Sequence, residues 1–233
     1  MAKTVIISIF TLVAGFCLGL LFNFGFFSPG TSLPPNNLAA AANITAANSP
    51  AAPVPLPSDQ AEIAESDNSL LLEQAYKVAA AMRDQDYQTL SLYVHPTQGV
   101  IFTPYSTVDL QANLCFLPSQ IAGLAQDSQN YVWGISDGKG DPLTMTMSKY
   151  FARYVYNADY TQAPILGIDR VIGSGNALEN VSEVFPEARF VEFYFPSLAP
   201  EHNGFDWCGL KLVFSVYEGE YKLIAVIHSE WTI

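Results

Sequence analysis

Residues 5–27 read VIISIFTLVAGFCLGLLFNFGFF, a run of 23 residues with no charge and one amide, Asn23. A helix that crosses a bilayer core needs about 20 apolar residues. A cleavable signal has a shorter apolar region, roughly 7–15 residues, followed by small residues. This run is longer and ends on aromatic residues, so it predicts an uncleaved transmembrane signal anchor. Ser28-Pro-Gly30 leaves cleavage as the alternative. Lipid attachment is excluded, because Phe16 rather than a small residue precedes Cys17. Lys3 and the amino group predict that residues 1–4 are cytoplasmic, since no base follows the run until Lys77. The rest of the chain is then expected outside the cytoplasm.

Residues 28–58 (SPGTSLPPNNLAAAANITAANSPAAPVPLPS) show no hydrophobic periodicity. Their prolines block helix and favour extended stretches. They predict a disordered linker spanning on the order of 30 Å. Residues 1–58 carry one charge, so residues 59–233 hold all 22 acids against 9 bases, a net charge of −13. Such a surface repels phosphate backbones and argues against nucleic acid as a partner. Cys115 and Cys208 are the only cysteines beyond the anchor, and they fit either one bridge or two buried thiols.

Within residues 59–233, Leu71, Ala75, Val78 and Met82 recur at helical spacing. Asp84-Gln-Asp86 ends that helix, and a second carries Tyr87, Leu90 and Val94 as far as Pro96. Strands are predicted at 99–103, 131–135, 143–147, 165–168 and 189–195, with short helices from Ser148 and over 177–184. The chain closes with a long hairpin, 210–216 and 221–227. Helices first and strands later predict an α+β domain, with N-terminal helices packed on a curved antiparallel sheet.

A two-residue turn at Glu218-Gly219 pairs Tyr217 with Glu220, and a three-residue bulged loop shifts this by one. Counting back from the tighter turn, Gly209 meets His228, Trp207 meets Glu230 and Asp206 meets Trp231. Ile224, Val226, His228 and Glu230 then share one face. Both faces begin apolar, which predicts a central strand covered on both sides.

Val94-His-Pro-Thr-Gln-Gly-Val-Ile-Phe-Thr-Pro-Tyr105, Trp133-Gly, Asp137-Gly-Lys-Gly-Asp-Pro142, Asp206-Trp207 and Ile227-His-Ser-Glu-Trp-Thr-Ile233 resemble stretches of a family of uncharacterised exported bacterial proteins, many of them lipoproteins. The resemblance covers most of residues 70–233 and implies no activity. The chain departs from that family by an apolar span in place of a lipidated cysteine. More loosely, the opening helix pair and the strand order look like the NTF2-like fold. That likeness implies a cone that often holds a ligand or an Asp/His site.

His95, Asp206 and His228 are the acid/base candidates, because histidine titrates near neutrality and a carboxylate can orient it. The competing reading is structural, with each histidine held by a neighbour at an element boundary. Neither HxH, HxxxH nor CxxC spacing occurs, so no metal is expected, and no cofactor fingerprint is present. Asp137-Gly-Lys-Gly-Asp141 lacks the alternating acids of a calcium loop and reads as a turn. Tyr105, Trp133, Tyr194, Trp207, Glu230 and Trp231 are the ligand-binding candidates. The expected partners are the membrane, through the N-terminal helix, and a small ligand or an envelope protein. An envelope hydrolase using His228 with Asp206 or His95 is the alternative.

Overall fold

The stripe Leu71, Ala75, Val78, Met82 is buried completely or almost so, and Ala79 joins it. It lies on α1 (Ser58–Arg83). The structure, a computed structural model, describes residues 58–232. The apolar run at 5–27, with most of the linker, lies outside the described residues. Among the described residues no helix is long and apolar enough to cross a membrane.

α2 (Tyr87–Tyr93) starts where the Asp86 side chain accepts the Thr89 backbone N–H at 3.0 Å, which satisfies one of the free donors of a helix start. It ends at extended Val94, ahead of Pro96. β1 (Val100–Thr103) pairs antiparallel with β2 (Leu114–Phe116) and parallel with the last strand. α3 (Pro118–Ala122) follows. β3 (Asn130–Ile135) and β4 (Pro142–Thr146) form a separate hairpin. α4 (Met147–Tyr150) runs on into a wider π turn, Phe151–Val155. β5 (Ile165–Ile168) and the short α5 (Val181–Val184) flank a covering segment, residues 170–180. β6 (Arg189–Phe195), β7 (Cys208–Tyr217) and β8 (Glu220–Glu230) complete the main sheet.

The sheet order is β2-β1-β8-β7-β6-β5. The domain is therefore α+β, with helices packed on a mostly antiparallel sheet. The β1–β8 pair is its parallel exception. β8 is central and covered on both faces. On one face Leu210, Leu212, Val226, Val191 and Phe193 meet α1, α2 and α4 in the main core. On the other, Phe190, Val213, Ala225 and Ile227 meet Val181 and Val108 in a smaller core.

The turn between β7 and β8 is the predicted two-residue one, with positive φ at Glu218 and Gly219 as a type I′ turn requires. The register beyond it differs from expectation. Phe214 pairs with Leu223 and Val213 with Ala225, so Ile224 is an extra, bulged residue. Leu210, not Gly209, therefore faces His228, Cys208 rather than Trp207 faces Glu230, and Gly209 faces Ser229. Ile224 joins Ala225 and Ile227 in the smaller core, and Leu223 shares the main core with Val226, the reverse of strict alternation through the turn. The helix expected over 177–184 forms only at its last four residues. Cys115 and Cys208 are both free thiols, and Cys115 is exposed rather than buried.

Candidate functional site

A cleft of about 420 Å³ opens between the segment after β1, the β3–β4 hairpin and residues 176–177. Its size suits a small ligand. Tyr105, Pro104, Trp133 and Ile135 give it an apolar wall, and Asp137 and Asn176 supply polar groups. No Lys, Arg or His lines it. Trp133 is fully buried, stacked on Tyr150 with ring centroids 3.7 Å apart. Its indole N–H donates to the Met145 carbonyl at 2.9 Å. The ring therefore backs the cleft wall without a free face of its own. The Tyr105 hydroxyl accepts the Asp137 backbone N–H at 3.2 Å. The Asp137 carboxylate accepts the Asn176 side-chain amide at 2.9 Å, and Asn176 accepts the Thr232 hydroxyl at 2.6 Å. The nearby Thr232 hydroxyl, the Asn176 amide and the Gly138 backbone N–H together hold the Asp137 carboxyl below its ordinary range. A fixed negative charge therefore sits at the rim.

Behind the Tyr105 side, aromatic rings lead inward. Tyr105 meets Tyr154 edge-on at 6.2 Å, and Tyr154 meets His228 at 5.6 Å. His228 is fully buried on the main-core face of β8. Its Nε2 lies 3.2 Å from a Glu230 oxygen, without the alignment of a hydrogen bond, and neither ring nitrogen has such a bond among the described residues. Burial lowers the His228 pKa, so the ring stays neutral. Burial pushes Glu230 up, but His228 and Arg153 outweigh it and bring the carboxyl down to about 2. Arg153 binds Glu230 through both terminal nitrogens, at 2.9 and 2.6 Å, and lies over the Tyr154 ring. The π turn sets this up, because it turns Tyr154 inward and leaves Arg153 half exposed. The Tyr150 hydroxyl is also buried without a partner among the described residues.

The acid/base candidates do not come together. The His95 N–H donates to the Leu223 carbonyl. That contact is five strand residues from His228, about 16 Å along β8. The His95 ring accepts backbone N–H groups of Thr97 and Gln98 and packs edge-on against Tyr217. Asp206 lies in the loop before β7, where Ser197, Leu198, Ala199 and His202 surround its carboxylate. Those hydrogen bonds overcome its burial and bring its pKa to about 2. Among the described residues, no hydrogen bond or ion pair joins any two of His95, Asp206 and His228. Histidines held by neighbours at element ends match the structural alternative for His95; His228 departs from it by having no aligned partner.

The ligand-binding candidates separate as well. Tyr105 and Trp133 line the cleft. Tyr194 and Trp207 pack on the opposite face of the sheet, under Gly173. Glu230 is held by Arg153, and the exposed Trp231 meets Phe205 edge-on at 6.1 Å.

The sequence reading passed over a charged cluster on that opposite face. Lys211 is fully buried, 2.8 Å from the Ser229 hydroxyl, 2.7 Å from Glu179 and 3.6 Å from the equally buried Glu192. Glu192 and Lys211 sit directly opposite in the β6–β7 ladder. The available signal was a single charge in the middle of each of two apolar strands, RFVEFYF and CGLKLVFSVY.

No family model matches the chain, and no curated protein matches it. Among solved structures, a calcium/calmodulin dependent protein kinase II association domain from Xanthomonas campestris is similar at 9% identity, with a TM-score of 0.26, over 77% of this chain and 92% of that one.

Proposed function

We propose that the chain is a membrane-tethered, extracytoplasmic binding domain of NTF2-like architecture, related to exported bacterial proteins, and that it takes a small neutral or cationic ligand in the Tyr105–Asp137 cleft. The cleft itself carries this reading. It has an apolar wall, one fixed carboxylate and no cationic lining residue, in a chain of net charge −12. Anions are disfavoured there, while an aromatic or aliphatic amine fits both wall and rim. The dispersal of His95, Asp206 and His228 supports binding over hydrolysis.

Benzyltrimethylammonium and benzoate, added to the full chain in detergent, test it by amide NMR. The cation is expected to shift Gly134, Ile135, Asp137 and Asn176, benzoate is not, and Asp137→Asn should weaken the cation about fivefold or more. Shifts confined to other surfaces, or none, would sink the reading. A protein partner is the second reading. A groove of about 560 Å³ beside α1, α2 and the β7–β8 turn carries it, because Leu70, Leu92 and Val216 stand exposed along its walls.

A further inference from the structure

Residues 170–180 form a strap across the face of the sheet opposite α1. The strap has no strand or helix of its own, yet both ends are held by buried charge. At its start, the Ile172 and Gly173 backbone N–H groups donate to the Glu192 carboxylate at 2.5 and 3.3 Å. At its end, a Glu179 oxygen lies 2.7 Å from the Lys211 ammonium, an ion pair without the alignment of a hydrogen bond. Lys211 thus links two carboxylates, one fixed in the sheet and one carried by the strap. Ser229 accepts from Lys211 and also meets Ser106 at 2.9 Å.

The backbone is shaped to this arrangement. A Cβ on Gly209 would stand 2.7 Å from a Glu192 oxygen. A Cβ on Gly173 would stand 2.6 Å from the Tyr194 ring and 2.7 Å from Trp207. Between the two anchors the strap delivers Asn176 and Ala177 to the cleft. Its outer side is tied back by Asn180, which exchanges two hydrogen bonds with Val108, and by Thr107, which donates to the Leu178 carbonyl.

A buried ion cluster is a poor source of stability, since apolar replacements of similar volume often serve as well or better. Its geometry is specific, however, and a side chain that fixes the groups touching a ligand needs that specificity. We propose that Lys211, with Glu192 and Glu179, is a positioning residue for the cleft: the cluster clamps the strap at both ends so that Asn176 and Ala177 form the cleft wall. This rests on the ligand reading of the cleft only for its purpose; the clamp can be tested without a ligand.

Hydrogen exchange on the full chain in detergent is the test, with two variants. In Lys211→Met/Glu192→Leu/Glu179→Leu, the amides of Ile172 and Gly173, and that of Val108, whose N–H donates to Asn180 of the strap, should exchange about tenfold faster or more, while Leu212 and Val226 keep their protection. In Glu179→Leu, which leaves the Lys211–Glu192 pair intact, the gain should be confined to Val108, the amide bonded to the C-terminal end of the strap. Benzyltrimethylammonium affinity should fall with the strap's protection in both. Unchanged strap exchange beside a protected sheet in both variants overturns the clamp. A loosened strap with unchanged affinity overturns the positioning role. If the cation fails to bind the unaltered chain, the ligand reading falls, and the exchange pattern still decides the clamp. Should the triple variant unfold, Glu179→Leu decides it.

Discussion

His228 and Lys211 sit one register step apart on adjacent central strands, since His228 pairs with Leu210 and Lys211 with Ile227. They point to opposite faces and are both fully buried, but they solve burial differently. Lys211 is ringed by Glu179, Glu192 and Ser229 beneath a strap. His228 gives up charge instead, lies beside Glu230 and Tyr154, and leaves its ring nitrogens without aligned partners. Its neighbour Glu230 is charged, but it is held by Arg153, whose side chain is 49% exposed. One site is closed and paired; the other is neutral at its centre and charged only at its rim. A sealed charge is expensive to orphan, whereas a neutral ring is cheap to replace.

The largest effect should follow from orphaning a carboxylate. Lys211→Met alone should cost about 3–5 kcal/mol, because Glu192 and Glu179 lose the charge that compensates them. Urea unfolding measures it. The apolar triple variant should return most of that loss. If the single and triple variants were equally unstable, the cluster would be contributing net stability and the contrast with His228 would weaken.

Next comes the fit of the strap. Gly173→Ala forces a methyl against two packed rings, at 2.6 and 2.7 Å, and should cost about 1–3 kcal/mol. Gly175→Ala, whose Cβ would meet the Glu230 carbonyl at 3.1 Å and Trp207 at 3.2 Å, should cost clearly less. Thermal melts of the pair order the two. The reverse order would mean that the strap is not seated on Tyr194 and Trp207.

Much of this frame was legible in the chain, and the exceptions have physical causes. The α1 stripe, the strand at 189–195 and the turn at Glu218-Gly219 follow from periodicity and turn chemistry. β2 has three residues, too few to show a period, and α3 has five. The parallel pairing of β1 with β8 joins residues more than 100 positions apart, beyond any local signal. The register past Ile224 was invisible for a different reason. When both faces are apolar, a slip of one residue exposes nothing, so the pattern cannot locate the bulge. That slip is what moved Gly209 away from His228 and set it beneath Glu192, hiding both sites at once. Tyr105 and Trp133 were legible as candidates, and both line the cleft. Asn176 was not, because its place in the cleft depends on a strap anchored by a cluster that spans β6, β7 and β8.

On the His228 side the expected effects are smaller. Arg153→Met frees a Glu230 that water can still reach, so the loss should be about 1 kcal/mol. A loss as large as that of Lys211→Met would show that the two sites are equally sealed.

The smallest change at neutral pH should come from His228→Leu, within about 1 kcal/mol of the parent, because an apolar side chain replaces a ring with no aligned hydrogen bond. Its signature is in the pH dependence. Burial lowers the folded-state pKa of His228 below its ordinary value of 6.5. The unfolded chain therefore takes up a proton that the folded chain refuses, and stability falls as pH drops through 6.5 toward the lowered value. His95 is shifted the same way by burial, so it adds a background common to parent and variant. Melts from pH 7.5 to 5.5 should show the parent losing stability faster than His228→Leu, with the curves diverging below about pH 6.5. Parallel curves would mean that the folded protein protonates His228 as readily as the unfolded one. The ring would then be a charged partner of Glu230, and the two faces of the sheet would be holding charge in the same way.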